Sequence, residues 1–117
     1  MAKNKVQLTK KFIESIKPSP HGERLNYYDD KVAGLQLCVF PTGVRSFSVL
    51  KWVNGKTRRV VLGRYDGMAM QSPEFDKDPL CVLGNNPVLT VEQARQLAIA
   101  VITELSAGHT SKRELRR

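Results

Sequence analysis

Apolar residues change their spacing three times along this chain, and each change predicts an element. Leu8, Phe12, Ile13 and Ile16 fall on one side of a short helix. Thr9 is placed to cap its first turn, and Leu8 to pack on Ile13 as a hydrophobic staple. Pro18 biases Lys17 away from helical backbone angles and ends the helix there. After a loop, Leu25-Asn26-Tyr27-Tyr28 predicts a short strand closed by an Asp29-Asp30 turn. From Gly34 the period becomes two. Leu35, Leu37 and Val39 alternate with Gln36, Cys38 and Phe40, the pattern of a half-buried strand, and Pro41-Thr42-Gly43 turns it back. The stretch 47–65, FSVLKWVNGKTRRVVLGRY, then reads as a β-hairpin about Asn54-Gly55, a pair that tolerates the positive φ of a type I′ turn.

That turn sets a register. Val53 faces Lys56, Trp52 faces Thr57, Lys51 faces Arg58, Leu50 faces Arg59, Val49 faces Val60 and Phe47 faces Leu62. One face of the ribbon carries Phe47, Val49, Val60 and Leu62 and belongs to a core. The other carries Ser48, Leu50, Trp52, Thr57, Arg59 and Val61 and is a candidate working surface. Residues 66–88 hold no clear period and read as a long surface loop with room for one turn or short strand, an unusual feature inside a compact domain. Helical spacing returns at Ala94, Leu97, Ala98, Val101, Ile102 and Leu105. Thr90 and Gln93 form a capping box before this helix, which is predicted over 91–107 with Gly108 as its C-cap.

The expected fold is therefore α+β. A three-stranded antiparallel meander, with the Tyr27-Tyr28 strand as a candidate fourth at one edge, carries a C-terminal helix on one face and a short N-terminal helix. The expected organisation is a flexible basic arm at 1–7, a binding domain at 8–108 with an inserted acidic, Pro-rich loop at 66–88, and the start of a linker at 109–117. At 117 residues the chain is one domain's worth.

Charge narrows the function. The net charge of +8 favours an anionic partner, and its distribution is more telling than its total. Between Lys31 and Tyr65 there are seven basic residues and no Asp or Glu, whereas 66–88 sets Lys77 alone against Asp66, Glu74, Asp76 and Asp78. The positive charge thus concentrates on the sheet. Lys51 opposite Arg58 is a like-charge pair, destabilising unless solvent or phosphates compensate. A two-stranded ribbon fits the major groove of B-DNA. On that reading Thr57, Arg59 and Ser48 address bases, while Arg45, Lys51, Lys56, Arg58 and Arg64 meet phosphates. For Leu50 and Trp52, packing beneath the 66–88 loop and a role in the interface are equally open.

Other classes have less to stand on. The chain lacks an apolar run of about 18 residues and the apolar middle of a signal peptide. Cys38 and Cys81 have neither CxxC spacing nor a neighbouring histidine, so no metal is expected. His21 and His109 stand apart from any nucleophile motif, Asp29-Asp30 reads as a turn, and no cofactor or small-molecule substrate is implied.

Several motifs together carry a family resemblance. The order Leu8-Thr9 to Lys17-Pro18 (LTKKFIESIKP), YYDD, GLQLCVFPTGVRSF, the basic Asn-Gly hairpin, VVLGRY and LTVEQARQLA resembles the N-terminal arm-type DNA-binding domain of phage-like tyrosine recombinases, the integrases of prophages and genomic islands. The resemblance runs from Leu8 to Gly108. It implies binding to arm-type repeats of attachment-site DNA, a three-stranded sheet entering the major groove with a helix behind it, and other integrase subunits as partners. It also implies a bacterial, cytoplasmic setting, nucleoid-associated when bound. The catalytic arginine–histidine–arginine set and tyrosine nucleophile of such enzymes lie downstream, so this chain by itself is expected to be no enzyme. Two departures stand out. Family members pass from LGRY to the LTVEQAR-type helix start in a few residues, whereas 66–88 intervenes here. The strand 47–53 also carries Leu50 and Trp52 at the parity opposite to the family's aromatics, and a bulge there would turn Trp52 inward.

The rivals are a double-stranded-RNA-binding module and a protein-interaction module using the Leu50/Trp52 face. Helix, three strands and helix suit the first, but Thr90-Val91-Glu92-Gln93 lacks the basic helix start such modules use. The second predicts binding that depends weakly on salt.

Overall fold

The computed structural model describes residues 5–17, 22–53, 55–84 and 87–107. In chain order these form β1 (Lys5–Val6), α1 (Lys10–Ser15), β2 (Leu25–Asp29), β3 (Leu35–Val39), β4 (Arg45–Val53), β5 (Lys56–Tyr65), α2 (Pro73–Lys77), a 3-10 turn (Pro79–Val82), β6 (Val88–Leu89) and α3 (Val91–Ser106). The fold is α+β. Its curled sheet keeps sequence order, β1 to β6. The antiparallel strands β2 to β5 form the expected meander and its edge strand, and β1 and β6 add short parallel pairings at the two margins.

The local signals act as their chemistry dictates. The Thr9 hydroxyl accepts from the Phe12 N–H at 3.1 Å and starts α1, while Leu8 and Ile13 are fully buried. The helix stops at Ser15, two residues before Lys17, because Ile16 has already turned extended at ψ 131°. The Thr90–Gln93 capping box is complete, with Gln93 N to Thr90 Oγ1 at 3.2 Å and Thr90 N to Gln93 Oε1 at 3.0 Å. Val91, Ala94, Leu97, Ala98, Val101 and Leu105 bury one stripe of α3. That stripe lies against the sheet face bearing Leu35, Leu37, Phe47, Val49, Val60 and Leu62, which becomes the core face. Gly108, His21, His109 and the 109–117 linker lie outside the described residues, as do residues 1–4 of the expected arm. Lys5 and Val6 of that arm are a strand, paired with Tyr28 and Asp29.

The hairpin register agrees from Val53↔Lys56 back to Val49↔Val60, and Gly55 takes the positive φ of 78°. It then departs from expectation. Ser48 faces Val61, but Phe47 faces Gly63 rather than Leu62, so Leu62 is the extra residue of a β-bulge. The physical reason lies at Gly63, where a Cβ would stand 2.3 Å from the Pro87 carbonyl oxygen. The bulge therefore brings the one residue without a side chain to the place where the chain returns to form β6.

Two segments are more deeply built in than their patterns imply. β3 is buried on both faces, Gln36 and Cys38 included, rather than half-buried. Residues 66–88 form α2, the 3-10 turn and β6 instead of an open loop. Pro73 occupies the first turn of α2, the Asp78 carboxylate accepts from Leu80 N at 3.2 Å, and Phe75, Leu80 and Leu83 enter the core beside α3. The Gln71 amide donates to the Val88 carbonyl at 2.8 Å, and the Gln93 amide to that of Ala69 at 3.1 Å, which pins the segment to the start of α3.

Asp29 is a buried junction rather than a turn residue. Its Oδ2 accepts from Arg95 Nε at 2.9 Å and Val32 N at 3.1 Å, and its Oδ1 from Arg95 Nη2 at 3.0 Å and Leu8 N at 3.5 Å. Arg95 Nη2 also donates to the Leu8 carbonyl at 2.7 Å. Burial pushes the Asp29 carboxyl up. The Arg95 hydrogen bonds and charge, with the two backbone N–H groups, outweigh burial and hold it below its ordinary value. A matching knot closes the far end of the sheet, where the Tyr65 hydroxyl donates to Glu14 Oε2 at 2.8 Å. Burial and that carboxylate push the phenol up to about 12.

Three outcomes are expected. Arg95→Met should strand the buried Asp29 carboxylate and cost about 3–5 kcal/mol in urea unfolding at neutral pH. Because the Asp29 carboxyl is lowered in the folded state, its contribution is complete above the unfolded value of about 3.9 and is lost as pH falls through the folded one. The stability gap between the native chain and Asp29→Asn should accordingly narrow in acid. Phe75→Ala should cost about 3–5 kcal/mol, as for a core phenylalanine, whereas truncating a residue of an open loop would cost almost nothing.

Candidate nucleic-acid interface

The face opposite α3 is built from alternate residues of the meander: Asn26 and Tyr28 on β2, Gln36 and Cys38 on β3, Ser46, Ser48, Leu50 and Trp52 on β4, and Thr57, Arg59, Val61 and Arg64 on β5. β3 reaches only as far as the Leu35↔Val49 pair, with one further bond from Leu50 N to the Gly34 carbonyl at 2.8 Å. Beyond it the β4–β5 ribbon runs on, two strands wide, to the turn. Lys51 and Arg58 sit directly across from each other on this projection. Arg58 is exposed and Lys51 half-buried, so water screens the like-charge pair.

The eight predicted contact residues separate by position. Thr57 and Arg59 are exposed on the outer face, and Arg64 is exposed on the same face nearer the bulge. Lys56 and Arg58 are exposed along the ribbon, with Lys51 beside them. The remaining two are held elsewhere. Arg45 shares the core-face parity of Phe47 and Val49. It is half-buried, and its Nη2 donates to the Ile16 carbonyl at 3.1 Å at the end of α1, while its Nε is buried without a partner. Ser48 is only 1% exposed, which keeps its hydroxyl from a base edge in this conformation.

Arg59 spans the face. Its Nη2 donates to Cys38 Sγ at 3.0 Å, across the intervening strand β4. The guanidinium thereby roofs Cys38, which with Gln36 and Ser48 forms a buried polar floor on this face; Gln36 Oε1 is buried without a partner. Strand alternation alone does not reveal such a roof, because it needs a long side chain from one strand lying over the next. Trp52 is the residue the sequence left undecided. It is 69% exposed and does not pack under 66–88, which is occupied with α3 on the other side of the sheet; the bulge that would turn it inward lies instead at Phe47/Ser48.

Three acidic residues of the inserted segment keep away from this surface. Glu74, Asp76 and Asp78 are exposed on the segment that packs with α3, behind the sheet. Among the described residues no group of three or more His, Cys, Asp or Glu could hold a metal ion, and no helix is long and apolar enough to cross a membrane.

The family of the arm DNA-binding domain matches the chain over residues 8–117. The chain belongs to that family. Such domains are the N-terminal domain type of phage integrases, bind DNA and are themselves non-catalytic. No curated protein matches the chain.

Arg59 as a roof has a direct consequence in solution. Arg59→Ala should speed the reaction of Cys38 with a thiol reagent several-fold while leaving half-buried Cys81 unchanged, as followed by mass-resolved alkylation in the absence of DNA.

Proposed function

We propose that this arm DNA-binding domain is the N-terminal part of a tyrosine-recombinase integrase and reads arm-type repeats in the attachment-site DNA of an integrative element. The observation that carries the reading is the projecting β4–β5 ribbon, whose exposed Lys56, Thr57, Arg58, Arg59 and Arg64 share a stretch of sequence without a single acidic residue. A two-stranded ribbon of this kind fits the major groove. Lys51, Lys56, Arg58 and Arg64 then lie along the phosphates and set register, while Thr57 and Arg59 face base edges. Arg59 has the fork that suits the O6 and N7 of guanine, and it leaves Cys38 to use it. Ser48 is sealed and Arg45 is half-buried with its Nη2 on the Ile16 carbonyl, so the reading gives neither a contact in this conformation. The full-length protein would carry its catalytic tyrosine downstream, work with other copies of itself in integration and excision, and act in the bacterial cytoplasm.

A shift assay on attachment-site DNA against random duplex and duplex RNA, at two salt concentrations, tests this. Affinity should fall with salt at a slope of about −0.9 per phosphate contact. Random DNA competing as well as arm repeats would defeat specific recognition. Arg59→Ala should relax sequence preference at a cost of about 1–3 kcal/mol on the preferred site, whereas Lys56→Ala should weaken all sequences alike and reduce the salt slope by about 1. Equal behaviour of the two variants would refute the division into base and phosphate contacts.

A further inference from the structure

The outer face is not uniformly cationic. Trp52 stands 69% exposed directly opposite exposed Thr57, and Val61, 48% exposed, lies on the same face with half-buried Leu50 between them. Trp52 is the only tryptophan of the chain. A large aromatic surface left in water beside Arg59, on a ribbon that otherwise holds charges, is surplus to the fold: Trp52 is absent from the core cluster and from the residues packed against it. Its apolar surface is available to a ligand.

The chemistry of that ligand follows from the face it shares. Base edges in the major groove present hydrogen-bond donors and acceptors and one apolar group that distinguishes a base pair, the C5-methyl of thymine. Cations on the ribbon can satisfy phosphates, and Thr57 and Arg59 can satisfy polar edges. An indole brings a single N–H donor and a broad apolar face, and that face can shelter a methyl group. We infer that Trp52 packs on a thymine C5-methyl in the major groove and makes thymine a specificity-determining base of the recognised site. The inference rests on the proposal that the outer face meets DNA, and adds to it which base is selected and by what force. Val61 and Leu50 continue the apolar strip behind Trp52.

Deoxyuridine lacks only this methyl, so it isolates the contact. Duplexes selected by the full chain from a random 20-base-pair pool would be resynthesised with each thymidine replaced singly by deoxyuridine. Their affinities would then be measured by anisotropy for the native chain and for Trp52→Ala, with thermal melts confirming that both fold. At one or two positions the replacement should weaken the native chain about fourfold, the worth of one buried methyl, and the emission of Trp52 should change on binding. Trp52→Ala should bind more weakly, keep the salt slope of the native chain, and be indifferent to deoxyuridine at those positions. Indifference of the native chain to every replacement would overturn the inference while leaving DNA binding intact. So would an equal loss in both proteins. A quenched tryptophan without any deoxyuridine effect would point to stacking between bases and also overturn it. Failure to select any duplex would defeat the DNA reading itself, and the thymine contact with it.

Discussion

The Asp29 carboxylate, buried and gripped by the Arg95 guanidinium, is the interaction on which the arrangement of this domain depends. Four separate parts of the chain converge on it: the Leu8 backbone at the entry to α1, the end of β2, the Val32 N–H of the turn into β3, and the first turns of α3. Each brings a polar group that would be costly to bury alone, and together they satisfy one another. The bidentate geometry fixes the rotation of α3 about its own axis, which sets which stripe of the helix meets Leu37, Phe47 and Val49. Because α3 covers only the core face, the opposite face of β4 and β5 stays open.

The second constraint is the bulge at Leu62. An uninterrupted ladder would oppose Phe47 to Leu62 and place Gly63 one step out of register, with a side-chain-bearing residue against the Pro87 carbonyl. The extra residue allows β5 to keep Val60 and Leu62 in the core and still present Gly63 to the returning chain. On the near side of the bulge the register set by the Asn54-Gly55 turn is undisturbed. The projecting end of the ribbon and its anchored end are thus specified by different contacts, one local and one long-range.

That division explains what the sequence could show. The ribbon from Val49 to Val60 was legible because a two-residue turn and a period-two pattern fix it within a dozen residues, and α3 was legible because Thr90 and Gln93 cap it and a single stripe repeats along it. The bulge was hidden because its cause, Pro87, lies far along the chain. Asp29 read as a turn because its partner lies 66 residues on. Phe75, Leu80 and Leu83 follow no helical or strand period, so 66–88 looked open although it packs on α3. At the candidate site, the exposure of Thr57 and Arg59 followed from strand parity, whereas Lys56 and Arg58 share the parity of Val60 and are exposed because the ribbon runs on past β3. The burial of Ser48 and the diversion of Arg45 did not follow from parity, since both depend on neighbours that alternation cannot name.

The ordered insertion also gives the charge pattern a direction. Residues 66–88 carry a net charge of −3 against +11 for the rest of the chain, and the burial of Phe75, Leu80 and Leu83 beside α3 holds Glu74, Asp76 and Asp78 behind the sheet instead of letting them swing over the basic face. A free acidic loop of this length could compete with phosphate for Arg58 or Arg59. Held by Phe75, by Leu83 and by the two glutamine amides, it instead sharpens the separation between an anion-repelling back and an anion-attracting ribbon. On the proposed reading, such a field would orient the domain before contact. On that reading, packing behind the sheet thereby contributes to which surface would reach DNA first.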